Sequence, residues 1–245
     1  MSYNALARWY DSLTKNMDYK KRTEFVCSLF CNALDRTQRG DSAPPQVVLD
    51  LACGTGVYSS ALLAHGFDVI GIDASADMLC VAREKNPTQL LLCQRLEQLD
   101  LYGTAQAAIC MTDSINHITN PKHVQAFFQR LALFLDSGAS FIFDVNTLYK
   151  HEYVLADNTF MYEREGCFCV WQNHWDAKEQ RTKITLDLFE QQGDSYVRHQ
   201  EYFAERVYSP EELTAWLKHA GFYVKETIEA PGEENERLYF VAIRN

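Results

Sequence analysis

Val47-Val48-Leu49-Asp50-Leu51-Ala52-Cys53-Gly54-Thr55-Gly56 is an apolar run that ends in a carboxylate and passes at once into a turn of small residues. A helical pattern follows over 57–65. Strand, glycine turn and helix are how an α/β protein holds a nucleotide-like ligand, beyond the carboxyl end of the first strand. Glycine lets the backbone approach a ligand closely and take unusual dihedrals. A second apolar run, Phe67-Asp68-Val69-Ile70-Gly71-Ile72, delivers Asp73. That acid falls about 20 residues past the first glycine, the place of a carboxylate that grips ribose hydroxyls.

The spacing discriminates between ligands. A dinucleotide site wants G-x-G-x-x-G with the helix N-terminus facing a pyrophosphate. Gly54 and Gly56 fit that pattern, but the third glycine position is Ser59. Asp50 also stands on the strand before the turn, where an acid suits a cationic ligand better than a pyrophosphate. S-adenosylmethionine has an ammonium, a sulfonium and a ribose, and no phosphate. The run D-L-A-C-G-T-G followed by G-I-D-A-S resembles the class I S-adenosylmethionine-dependent methyltransferases. The resemblance is strongest over 47–83 and extends in outline to the whole chain. It implies a doubly wound α/β sheet of seven strands, the last antiparallel, with S-adenosylmethionine as cofactor. It also implies cofactor contacts from Asp50, Ala52, Gly54, Gly56, Asp73 and Ala74.

Composition narrows the partners. A chain of 245 residues with 47% hydrophobic side chains can bury a full core as one domain. It carries 23 basic and 33 acidic side chains, a formal net charge of -10. Phosphate backbones are gripped by clustered Lys and Arg. The densest such cluster is Lys20-Lys21-Arg22, which reads as a solvated helix face, so nucleic acid is disfavoured. No apolar run of membrane-spanning length occurs, and the N-terminus has no signal-peptide pattern. Eight cysteines in that setting read as reduced thiols of a cytoplasmic protein. Cys27 and Cys31, and Cys167 and Cys169, lack a second pair or nearby His at zinc spacing, so no metal is expected.

Taken in order, the chain supplies the rest of the expected fold. Asp18 can cap a helix with apolar positions Phe25, Val26, Leu29 and Phe30. In class I enzymes acting on small molecules such a segment closes over the cofactor, and Tyr10 and Tyr19 resemble the aromatics used there. Residues 36–46, with Pro44-Pro45, read as a linker. Ser75 caps a helix running to Lys85, and Met78 on it is placed to pack the adenine. The third strand, 90–93, is followed by Gln94-Arg95-Leu96-Glu97. Arg95 stands where the family places an acid for the adenine amino group, leaving the Leu96 amide and Glu97 for that contact. A fourth strand, 107–111, leads into Thr112-Asp113-Ser114-Ile115-Asn116-His117 at the ligand edge. Thr112 and Asp113 complete the expected cofactor set. Asn120-Pro121 starts a helix that Gly138 is expected to end, and 140–145 is the fifth strand, followed by Asn146.

From 158 to 207 the pattern changes to period-two alternation, rich in β-branched and aromatic residues. This reads as an antiparallel sheet of three or four strands inserted over 153–205 of a single methyltransferase domain, 1–245. It resembles the lid of glycine and amino-sugar N-methyltransferases. Ser209-Pro210-Glu211-Glu212 opens a further helix, and 222–228 and 237–243 are the final strands. Methyl transfer from a sulfonium is a direct displacement, so no fixed catalytic motif is expected. His117 is the candidate base, because it follows the fourth strand and histidine titrates near neutrality. Asn116, Asn146, Tyr162, Trp171, Trp175, Tyr202 and Arg206 are candidate substrate contacts. The reading is methyl transfer to a small amine- or hydroxyl-bearing metabolite. A protein or RNA methyltransferase and a non-catalytic cofactor-binding protein are the alternatives. A homodimer interface is the competing use of the lid sheet.

Overall fold

The structure, a computed structural model, describes residues 4–33 and 47–245, so the 36–46 linker lies outside the described residues. Helices α1 (Asn4–Leu13) and α2 (Tyr19–Ala33) come first. The Rossmann-like core follows as β1 (Val47–Leu51), α3 (Val57–Ala64), β2 (Asp68–Asp73), α4 (Ala76–Lys85) and β3 (Leu90–Cys93). Its second half is β4 (Ala105–Cys110), α5 (Pro121–Leu133) and β5 (Leu135–Asn146). Four strands then form a separate sheet: β6 (Thr159–Arg164), β7 (Cys167–Asp176), β8 (Arg181–Gln192) and β9 (Ser195–Arg206). Helix α6 (Pro210–His219) and strands β10 (Phe222–Glu229) and β11 (Arg237–Arg244) close the chain.

The main sheet runs β10-β11-β5-β4-β1-β2-β3, with β11 antiparallel to both neighbours and the remaining pairs parallel. Parallel strands covered on both faces are buried along their length, which is why β1 and β4 are apolar but for Asp50 and Gln106. Alternation divides the core. Leu49, Leu51, Phe141 and Phe143 pack against α5 and α6 on one face. Val48, Ala107, Ile109 and Ile142 pack against α2 and α3 on the other. The chain reverses its winding between β1 and β4, which opens a crevice at the carboxyl ends of those strands.

The capping residues start the helices where expected. Ser75 Oγ accepts from the Met78 amide at 3.3 Å, and Asn120 Oδ1 from Lys122 at 3.1 Å with Pro121 next in line. Ser209 and Glu212 form a reciprocal capping box. One boundary differs. Helix α5 ends at Leu133 and β5 begins at Leu135, so Gly138 lies inside the strand at φ 79°. The Phe134 carbonyl accepts from Ala105 N at 2.9 Å, which draws the chain into the sheet before the glycine is reached.

The second sheet is purely antiparallel, in the order β6-β7-β8-β9. Helix α1 lies between it and the core. The Leu6 amide donates to Glu201 Oε1 at 3.1 Å, and Arg164 Nε to the Ser12 carbonyl at 2.7 Å. On the core side Thr55 Oγ1 donates to Asp11 Oδ1 at 2.5 Å, and Lys85 pairs with Asp11. Leu6 and Ala7 share one apolar cluster with Met78 of α4 and Leu186 and Leu188 of β8. No helix of the described residues is long and apolar enough to cross a membrane.

Candidate active site

The glycine turn is built from backbone that ordinary residues avoid. Ala52, Gly54 and Gly56 all have positive φ, at 56°, 54° and 74°. Holding Ala52 there costs free energy, and strain of this kind gathers at ligand sites. A Cβ at Gly54 would meet nothing within 4 Å, because the turn faces an open cavity. Gly56 has a different duty. A Cβ there would stand 3.0 Å from Ala82 Cβ, so this glycine lets α3 start tight against α4 and does not line the cavity.

Two carboxylates flank the turn. Asp50 is buried, and burial pushes its carboxyl up to about 7, with the Ser59 hydrogen bond opposing and Asp73 reinforcing the shift. Ser59 Oγ donates to Asp50 Oδ2 at 2.6 Å and itself accepts from Gln89 Nε2 at 2.8 Å. This is why a serine stands at the third glycine position: it orients the strand acid. Asp73 accepts from the Gly54 amide at 2.8 Å on one oxygen and from the Ser75 amide at 2.8 Å on the other. Burial raises its pKa, and these amides act against the rise. Asp50, Ala52, Gly54, Asp73 and Ala74 all line one cavity of about 700 Å³, within the usual range for a ligand pocket.

Tyr10, Tyr19, Met78, Leu96 and Glu97 line the same cavity. Glu97 is held by Arg95 Nε at 2.6 Å and stands 3.4 Å from His123 Nδ1. Arg95 therefore neutralises the neighbouring acid, with its own side chain 57% exposed. Tyr19 donates to Thr14 Oγ1 at 2.9 Å and meets Tyr58 edge-on at 5.5 Å.

The other end of the cavity lies beyond β4. Thr112 and Asp113 have φ of 56° and 51°, two consecutive left-handed residues without glycine. The Asp144 carboxylate holds them there by accepting from the Asp113 amide at 3.2 Å. Arg237 then binds Asp144, Asp113 at 2.8 Å and Glu233 at 2.9 Å. Burial alone would raise the Asp113 carboxyl, but Arg237 overcomes it and holds that carboxyl below its usual range. His117 projects from the same loop. Its Nε2 lies 3.7 Å from Asp113 Oδ2 and 3.8 Å from Glu205 Oε1, and its ring is 5.4 Å from Phe203. Asn146 Nδ2 donates to the other Glu205 oxygen at 3.2 Å.

Of the candidate substrate contacts, Asn146, Tyr162 and Trp171 line the cavity, as does His117. Four others do not. Asn116 is buried and clamps the sheets together, donating to the Asn146 and Arg206 carbonyls and accepting from the Asn146 amide at 3.0 Å. Arg206 takes part through its backbone and lays its guanidinium 5.7 Å over Tyr208. Trp175 packs behind the site on His151, ring centres 5.7 Å apart. Tyr202 is 65% exposed on the outer face, because its neighbour Phe203 takes the inward position of β9.

Sequence reasoning did not single out Arg237, Glu205, Phe203 or His151. Arg237 carried a readable signal. It opens an antiparallel last strand, whose first residue must lie at the ligand edge opposite Asn146. Glu205 and Phe203 depend on the facing of β9, which Tyr202 and Phe203 together leave ambiguous.

The residues around the turn fit S-adenosylmethionine: open space at Gly54, buried Asp50 and half-buried Asp73 for a ligand with a cationic end and a ribose, and apolar Met78 and Leu96 beyond. Residues 48–138 match the family model for a methyltransferase domain. A protein from Geobacillus sp. (strain WCH70) with a provisional methyltransferase name is 29% identical, with 99% of each chain covered. The crystal structure of an S-adenosylmethionine-dependent methyltransferase from Clostridium acetobutylicum ATCC 824 superimposes with a TM-score of 0.83 at 27% identity, covering 99% of each chain. A dTDP-3-amino-3,6-dideoxy-α-D-glucopyranose N,N-dimethyltransferase from Streptomyces fradiae is 30% identical over 129 residues, 52% of this chain and 48% of its own.

Proposed function

We propose that this chain, a class I S-adenosylmethionine-dependent methyltransferase, methylates a small amine- or hydroxyl-bearing molecule held beneath its four-stranded sheet. The observation that carries this reading is the continuity of the cavity. It runs from the glycine turn past His117 to Tyr162, Trp171 and Phe203 on the inner face of the second sheet. A site roofed in this way suits a molecule that can be enclosed, and an amino-sugar N,N-dimethyltransferase stands among the relatives.

In this reading the cofactor end is the turn. Asp73 accepts from the ribose hydroxyls, Asp50 complements the ammonium, and Ala52, Gly54 and Ala74 offer close backbone. Met78, the Leu96 amide and Glu97 hold the adenine, with Thr112 and Asp113 beside the methionine portion and Tyr10 and Tyr19 closing over it. The cofactor, when bound, supplies an activated methyl group on a sulfonium. The protein must place the acceptor atom in line behind that methyl and exclude water. Trp171 and Phe203 do the excluding, and His117 takes the proton that an ammonium or hydroxyl acceptor must lose. The 153–205 insert chooses the acceptor and leaves cofactor binding to the core.

The test is S-adenosylhomocysteine formation over a panel of small amines, amino sugars and phenols, run beside total RNA and a protein extract. Turnover on a small molecule is expected. Turnover on a macromolecule alone, or tight cofactor binding with no turnover on any acceptor, would overturn the reading. On the small acceptor, Trp171→Ala should raise KM while cofactor affinity holds.

A further inference from the structure

Asp113 and His117, four residues apart on the loop after β4, meet Glu205 of the distant strand β9, and their ligand atoms lie within 4.8 Å of one another. We infer that they form a binding site for one divalent transition-metal cation at the acceptor end of the cavity.

The first argument is orientation. Asp113 turns Oδ1 to Arg237 at 2.8 Å, and Glu205 turns Oε2 to Asn146 at 3.2 Å. Outer contacts of this kind fix the carboxylates that ligate metals. The remaining oxygens, Oδ2 and Oε1, face His117 Nε2 at 3.7 and 3.8 Å, too far for hydrogen bonds. With metal–donor bonds of about 2.1 Å, neighbouring donors stand about 3.0–3.4 Å apart. Closing the two His117–carboxylate separations onto an ion therefore shortens each by about 0.3–0.8 Å.

The second argument is an orphaned group. His151 is fully buried, and its Nε2 has no hydrogen-bond partner among the described residues. That atom stands 3.7 Å from Glu205 Oε2, while Nδ1 is engaged by Thr182 Oγ1 at 2.7 Å. A buried polar atom without a partner asks for an explanation such as a water or an ion, and this one lies on the outer side of Glu205, where a charge on the carboxylate would bear on it.

The third argument is charge. Arg237 is shared among Asp113, Asp144 and Glu233, and Lys150 stands between Glu233 and Glu236. Glu205 has no Lys or Arg ion-pair partner among the described residues. Two carboxylates and an imidazole converging in a sheltered pocket are a donor set for Mn²⁺, Co²⁺ or Zn²⁺. An ion there would stand beside the acceptor and could hold an oxygen of it; His117 Nε2, once on the ion, would no longer be the base, and the ion's charge would favour loss of the acceptor's proton instead. The binding claim does not depend on which acceptor is methylated.

The experiment uses the full chain saturated with S-adenosylhomocysteine, whose neutral sulfur removes the cofactor's sulfonium charge from the acceptor end of the cavity. Mn²⁺ is titrated by electron paramagnetic resonance, and Co²⁺ and Zn²⁺ by calorimetry. One ion per chain is expected. Asn146→Ala should weaken Mn²⁺ by about 10- to 100-fold, as loss of an outer contact does, and Glu205→Gln by more. His65→Ala, on an exposed helix end, should change nothing. Circular dichroism and S-adenosylhomocysteine affinity certify that each variant is folded. Absence of saturable binding by all three ions would overturn the site, and so would binding that folded Glu205→Gln leaves unchanged.

Discussion

Replacing Asp50 with Asn should stabilise the ligand-free protein at alkaline pH and weaken its hold on the cofactor. The Asp50 carboxyl is pushed up to about 7, chiefly by burial. Between its unfolded value and 7 the folded chain keeps a proton that the unfolded chain has released. Stability therefore falls as pH rises, by about 1.36 kcal/mol per unit, and stops falling once the folded carboxyl has ionised. From pH 5.5 to 8 the loss comes to about 2 kcal/mol. Asn does not titrate, so the stability of Asp50→Asn relative to wild type should grow by about that amount over the same interval. Binding should respond in the opposite sense. A cationic ligand needs the ionised carboxylate, and losing a hydrogen bond to a charged group costs about 1.5–3 kcal/mol. Wild-type affinity should also fall about tenfold per unit as pH drops below 7, and the variant should lose that dependence. Urea unfolding of the ligand-free protein and calorimetry of S-adenosylhomocysteine, each at pH 5.5 and 8, measure both effects. A variant with unchanged affinity, or one whose relative stability does not rise with pH, would refute the argument.

Asp73→Ala should weaken cofactor binding by about 1.5–3 kcal/mol, measured by calorimetry, because two hydroxyls lose a charged acceptor. Glu97→Ala should weaken it as well, whereas Arg95→Asp should be tolerated or should tighten it; a large loss on Arg95→Asp would give the arginine a direct role. Arg237→Met leaves buried Asp144 and its neighbour Asp113 without their cation and should cost about 3–5 kcal/mol in urea unfolding. Gly54→Val should abolish cofactor binding in a chain that still folds, since the left-handed turn faces the cavity; normal affinity would place the site elsewhere.

The parts of the site legible in the sequence are those whose geometry is local. The apolar run of β1, the small-residue turn and the acid closing β2 lie within one strand-turn-helix-strand unit. Their contacts span 9 and 19 positions, as in Ser59 to Asp50 and Gly54 to Asp73. Chain direction and strand period are enough to place such residues. The acceptor end is assembled otherwise. His117 follows β4, Asn146 ends β5, Glu205 lies near the end of β9 and Arg237 begins β11. Their meeting is decided by register between strands, which periodicity does not encode. In β9 the choice is between two faces, and a shift of one residue exchanges every side chain on them. Tyr202 and Phe203 are both aromatic, so composition favours neither face. Pairing decides it: Phe203 sits opposite Ile184, a buried position of β8, and Tyr202 opposite Thr185. Once Phe203 faces inward, Glu205 two positions on must do so too, which carries a carboxylate to His117. The same parity exposes Tyr202. Asn116 reads as a ligand contact in the sequence for a related reason. A polar residue in a loop after a strand suggests a ligand contact, but its amide is consumed in holding the ends of β5 and β9 together. That clamp sets the height of β9 over the core, and so fixes the distance between Glu205 and the loop that carries His117.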